Sequence, residues 1–157
     1  MQKIITFLTF KDQAEEAVSF YTSIFKNSKI LATTRYAEGG PGPKGTLMTA
    51  EFQLDGQDFM ALNGGPSFTF SQGISLMVNC ETQGEIDELW SKLSQGGREV
   101  QCGWLTDRFG VSWQIVPTVL GKLMKDKDPE KAKRVMNAML QMVKLDIAKL
   151  KQAYEQK

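Results

Sequence analysis

After Gly64-Gly65-Pro66 the chain begins its own pattern a second time. Ahead of that break, KIITFLTF (3–10) is rich in β-branched and aromatic residues and predicts a strand. Ala14, Ala17, Val18, Tyr21, Ile24 and Phe25 then fall at i, i+3, i+4, i+7 spacing, which predicts an amphipathic helix over 12–26 entered at Asp12. KILATTRYA (29–37), TLMTAEFQL (46–54) and DFMALN (58–63) predict three strands, the last two joined by a hairpin turn at Asp55–Gly56. Beyond the break, GISLMVN (73–79) predicts a strand. Thr82 and Glu85 have capping-box spacing, and Ile86, Leu89, Trp90 and Leu93 form the apolar face of a helix that Gly96-Gly97 ends. REVQC (98–102), GWLTD (103–107) and VSWQIVP (111–117) follow as short strands, with a corner at Arg108–Gly110. The order is β-α-β-β-β twice, with Phe20-Tyr21 corresponding to Leu89-Trp90 and Lys29 to Arg98. Residue identity between the halves is poor, so the repeat rests on element order and apolar spacing.

The rest of the chain narrows the function classes. A net charge of +1 provides no global field for nucleic acid or an acidic membrane. Apolar runs such as IITFLTF (4–10) are strand-sized and too short to span a bilayer. A length of 157 residues suffices for a core that needs neither disulfides nor a structural metal. Met1 is followed almost directly by a strand-like segment without a secretory pattern, and two cysteines, Cys80 and Cys102, suit a reduced, cytoplasmic protein. The sequence contains no His.

The C-terminal segment departs from the repeat. Asp128-Pro129-Glu130 is a helix start, with Asp as N-cap and Pro in the first turn. Apolar residues recur at 132, 135, 136, 139, 140, 143, 147, 150 and 154, predicting one helix from about Pro129 to Tyr154, packed on its own domain or on a dimer partner. Thr118–Met124 predicts a short connecting helix. The expected organisation is a domain over 1–127, with modules at about 1–65 and 72–117, followed by this helix at 128–157.

Several stretches carry a resemblance. AEEAVSFYTSIFKNSKI (14–30), GGPGPKG (39–45), the FxLDGQxFxALNGGPxFxF pattern (52–70), QCGWLTDRFGVSWQIVP (101–117) and the tail RVMNAMLQMVKLDIAKL (134–150) are similar to the PhnB-like group. That group often carries the label 3-demethylubiquinone-9 3-methyltransferase. It lies within the glyoxalase/bleomycin-resistance/dioxygenase, or vicinal oxygen chelate, superfamily. The resemblance implies an α+β fold: tandem βαβββ modules forming a curved mixed sheet, with the C-terminal helix added.

In metal-using members, the resemblance implies ligands from the first and last strands of each module around a cleft. Those positions fall at about Thr6, at Leu62 or Asn63, and at Gln114, while strand 73–79 has no His, Asp or Glu. A hydroxyl and neutral amides are weak donors for a divalent transition metal, so no metal or other cofactor is expected. Gln114 sits between Trp113 and Ile115, and strand alternation turns it to the face of Ser112, away from the helix layer. Its buried amide calls for partners. Gln114, Thr6 and Asn63 are thus candidate hydrogen-bonding groups, with Trp104 a candidate aromatic wall and Ser112 on the same face as Gln114. The alternative is that Gln114 bonds backbone or water and marks a vestigial site.

Other motifs favour structural roles. EGGPGPKG (38–45) holds two prolines and leads into a strand, so it predicts a hairpin connection flanked by Arg35 and Lys44 rather than a phosphate cradle. Asp107 and Arg108 are expected to close their corner, and Cys102 to be buried filler. Ser67 stands where the resemblance implies His. Methyl transfer needs a glycine-rich strand-to-helix turn for S-adenosylmethionine, and no such unit is evident. The expectation is a homodimeric, metal-free binder of an unidentified small molecule, without nucleic-acid or membrane partners. The alternative is an enzyme, either the labelled methyltransferase or another metal-independent one acting on an aromatic ligand.

Overall fold

A computed structural model describes residues 2–156. They form two compact units, one ending at Thr69 and the other beginning at Phe70. The first has the order β1 (Thr6–Phe10), α1 (Ala14–Ile24), β2 (Lys29–Arg35), β3 (Leu47–Leu54), β4 (Gln57–Asn63). The second runs β5 (Ser75–Cys80), α2 (Gln83–Ser94), β6 (Arg98–Glu99), β7 (Trp104–Thr106), β8 (Ser112–Pro117), then α3 (Thr118–Met124), α4 (Pro129–Leu140) and α5 (Ile147–Glu155). The doubled β-α-β-β-β pattern is therefore present, and the fold class is α+β.

Each unit contains one four-stranded mixed sheet, ordered β1-β4-β3-β2 in the first and β5-β8-β7-β6 in the second. The first and last strands of each module pair in parallel, β1 with β4 and β5 with β8; the other neighbours are antiparallel. The sheets follow from alternation. In the first unit Leu8, Phe10, Ala50, Phe52 and Ala61 share one face and are buried beneath Ala14, Ala17, Val18 and Tyr21 of α1. In the second, Leu105, Trp113 and Ile115 are buried with Ile86, Leu89, Trp90 and Leu93 of α2. Each large apolar side chain so removed from water contributes about 2–3 kcal/mol. Asp55 and Gly56 both have positive φ, 49° and 76°, as the tight β3–β4 hairpin requires.

Helix starts match the sequence in two places. The Thr82 hydroxyl accepts from the Glu85 N–H at 3.2 Å, while the Glu85 carboxylate reaches back to the Glu81 N–H at 2.9 Å. Asp128 accepts from the Glu130 N–H at 3.0 Å, with Pro129 opening α4. The start of α1 is a correction. Asp12 does not cap it; the N-cap is Gln13, which makes no side-chain capping bond, and the Ala14 N–H donates instead to Asn63 Oδ1 at 2.8 Å.

The single C-terminal helix is a second correction. Residues 141–146 interrupt it between α4 and α5. The carbonyls of Met142 and Val143 accept from the N–H groups of Cys102 and Gly103, at 2.9 and 2.8 Å. The Gln83 amide grips the same segment, donating to the Leu145 carbonyl at 3.0 Å and accepting from the Ile147 N–H at 2.8 Å. Leu145 is thereby driven into a small core with Leu120, Val135 and Leu150. Backbone groups satisfied by the second module have no need of helical partners, and Asp146 caps the restarted helix through the Lys149 N–H at 3.0 Å. The C-terminal helices therefore belong to the second unit.

Candidate functional site

Each sheet has one face covered by its module's helix and an opposite face, open except where Val116 at the end of β8 packs against the core of the C-terminal helices, and strand register decides which side chains reach which. On β8, Trp113 and Ile115 are buried against α2, so Ser112, Gln114 and Val116 turn the other way. In register with Gln114 stand Met77 on β5 and Trp104 on β7. The three side chains form one row across adjacent strands, spaced about 4.8 Å apart. Met77 is 56% exposed, while Trp104 and Gln114 are half-buried. Gln114 Nε2 donates to Ser75 Oγ at 2.9 Å, which fixes the amide plane. No described residue donates to Gln114 Oε1. A rigid carbonyl acceptor thus stands between a thioether and an indole. Ser112 shares this face by register but is only 3% exposed and offers little to a ligand.

Thr6 and Asn63 take the opposite kind of face in their own unit. Thr6 pairs with Phe59 and Phe59 with Phe52, whose ring is fully buried on the α1 side. Asn63 pairs with buried Phe10. Its side chain is spent on structure: Oδ1 holds the start of α1, Nδ2 donates to the Leu47 carbonyl at 3.0 Å, and its main-chain carbonyl accepts from the Tyr36 hydroxyl. Within the first unit the open face carries Phe7, Thr9, Met60, Leu62 and Glu51 instead. Phe7 is 49% exposed. Phasing each strand on its buried residues would have found this set, because a slip of one position exchanges the faces.

The donor chemistry of these faces does not fit a chelated transition metal. The second unit's open face has hydroxyls and amides but no carboxylate, and the chain supplies no imidazole. The first unit's face has Glu51 and Asp58, the latter accepting from Gln53 Nε2 at 2.8 Å. Among the described residues no group of three or more His, Cys, Asp or Glu assembles.

The remaining motifs are structural. Asp107, 2% exposed, accepts from the Phe109 and Val111 N–H groups through Oδ1 and from Trp113 Nε1 through Oδ2, so it closes its corner as expected. Arg35 is held by Glu15 at 2.7 Å and also donates to the Gly45 carbonyl; the hydrogen bond from Arg35, with its charge, keeps the Glu15 carboxyl below its ordinary pKa. Lys44 lies 3.6 Å from Glu38, so neither flanking cation of the 38–45 hairpin is free. Burial, reinforced by Glu85 and Glu81, pushes the Cys80 thiol up to about 12, which leaves it un-ionised and non-nucleophilic at neutral pH. Cys102 is half-buried and Ser67 is exposed.

Tandem βαβββ units, each with parallel first and last strands, define the vicinal oxygen chelate class. The fold is similar to that of the fosfomycin resistance protein FosX from Listeria monocytogenes, with a TM-score of 0.59 at 15% identity over 80% of this chain and 98% of that one. It is similar as well to a protein from Pseudomonas aeruginosa, with a TM-score of 0.62 at 24% identity over 74% and 98%. A PhnB protein from Bacillus cereus, described as a 3-demethylubiquinone-9 3-methyltransferase, is 45% identical over 74% of this chain and 100% of that one, with a TM-score of 0.71. Residues 2–116 match the family model described as 3-demethylubiquinone-9 3-methyltransferase, and the chain belongs to that family. The matched residues end at 116, before the 134–150 tail. No curated protein matches the chain.

Proposed function

We propose that the chain is a small-molecule-binding homodimer that holds a planar ligand on the open face of the second unit's sheet without a metal. The observation that carries this is Gln114, its amide fixed by Ser75 and its carbonyl oxygen free between Met77 and Trp104. An indole face and a thioether both favour contact with a flat ring, and a fixed acceptor orients a ligand N–H or O–H. The methyl transfer in the family's description finds little support in the backbone. The strand-to-helix connections are Lys11–Gln13, Glu81–Thr82 and the direct passage from β8 into α3 at Pro117–Thr118, and none contains the glycines that let a backbone approach an adenosylmethionine or a dinucleotide. No described helix is long and apolar enough to cross a membrane.

Titration with 2-naphthamide, followed by tryptophan fluorescence, tests the site. Replacing Gln114→Leu should weaken binding about tenfold, the value of one lost oriented hydrogen bond, while leaving the far-ultraviolet circular dichroism unchanged. Equal affinity in the two proteins would remove Gln114 from the site. The dimer is supported by apolar side chains left in water: Phe7 at 49% exposed in the first unit, and Met136, Leu140 and Val143 at 37–48% in the second. Sedimentation equilibrium at micromolar concentration should return twice the 17.6 kDa chain mass. A monomer would overturn the dimer and leave the ligand site standing.

A further inference from the structure

The open face of the second unit's sheet has a single ionisable side chain, and it is a cation. Arg98 of β6 pairs with Thr106, which alternates with buried Leu105 and therefore lies on the same face as Trp104. Its neighbour Glu99 turns to the helix side, where its carboxylate accepts from Trp90 Nε1 at 2.6 Å. The nearest acid in sequence is thus occupied on the wrong side of the sheet to neutralise Arg98. Arg98 is exposed and forms no ion pair with a described carboxylate. On an antiparallel pair, Arg98 and Trp104 are diagonal neighbours about 7–8 Å apart, within reach of a long side chain.

From this placement we infer that the face selects planar aromatic anions, a ring lying on Trp104 and a carboxylate or similar group reaching Arg98. The inference rests on the binding face proposed above. A guanidinium suits such a group because it is always charged and its fork of N–H donors matches two anionic oxygens. Gln114 then meets a polar substituent elsewhere on the ring, and the neutral remainder of the face leaves the charge at Arg98 to set the preference. An exposed pair is worth only a modest factor and weakens with salt.

The test compares 2-naphthoate with its near-isostere 2-naphthamide at low ionic strength, in the wild type, Arg98→Gln and Arg98→Lys. The wild type should bind the carboxylate about threefold more tightly, and added salt should shrink that gap. Arg98→Gln should abolish the preference while keeping the affinity for 2-naphthamide, and Arg98→Lys should restore part of it, since charge survives but the fork does not. Equal binding of both probes by the wild type would overturn the anion preference while leaving the binding face intact. A preference that persists in Arg98→Gln would remove Arg98 as its source. Binding of neither probe would overturn both this inference and the function on which it rests.

Discussion

Gly97→Ala should be among the most damaging single substitutions in this chain, lowering stability by about 3 kcal/mol and the midpoint of thermal unfolding by roughly 10 °C. Gly97 lies between the end of α2 and β6, where the chain passes hard against the start of the next corner. A Cβ built there would sit 2.1 Å from the Thr106 carbonyl oxygen and within 2.9 Å of the Asp107 backbone. These are main-chain atoms, fixed at one end by the pairing of Arg98 with Thr106 and at the other by the buried Asp107 carboxylate. No rotamer change relieves such a collision; β6 has to leave β7. Gly121→Ala in α3 is the matched control, since a Cβ there meets nothing within 4 Å. It should stabilise by about 0.5–1 kcal/mol through helix propensity alone. Calorimetry of the two variants separates close approach from a general intolerance of side chains, and a Gly97→Ala protein that melts with the wild type would refute the clash.

Local pattern carries most of the fold and only part of the site, and the division has a physical cause. The doubled β-α-β-β-β order is readable because each helix stripe and each alternating strand is set by near neighbours. Gln114 is readable for the same reason: Trp113 and Ile115 flank it and fix its side. Thr6 and Asn63 are different. The ligand positions of the family fall one residue out of phase with them, and buried Leu8 and Phe10 set that phase. Asn63 in addition answers to α1 across 49 positions of sequence, a link that no local spacing reveals. The break at 141–146 was hidden because the apolar stripe runs through it undisturbed, from Met139 and Leu140 to Val143 and Ile147. Its causes, Gln83 and the 102–103 backbone, lie far away in the chain. Asp146, three residues before Lys149, was the one local sign of a restarted helix.

Asp107→Asn is the second large effect, expected to cost about 2–3 kcal/mol in urea unfolding, although it changes a single atom. The native carboxylate only accepts. Oδ1 receives two main-chain N–H groups, from Phe109 and Val111, at 2.9 and 3.0 Å. Oδ2 receives the Trp113 indole N–H at 2.9 Å. A carboxamide has one oxygen to offer. With that oxygen toward the backbone, its NH2 group confronts the indole N–H donor to donor; with the amide reversed, it confronts two backbone donors instead. Either way a donor is stranded where Trp113 is 2% exposed and water cannot replace the lost partner. Adding Trp113→Phe to Asp107→Asn removes the indole N–H, so the amide can keep its oxygen on the backbone. The two changes should therefore be less than additive, with the coupling localised to Oδ2. Strict additivity would mean that the indole bond contributes nothing and that the corner is held by Oδ1 alone.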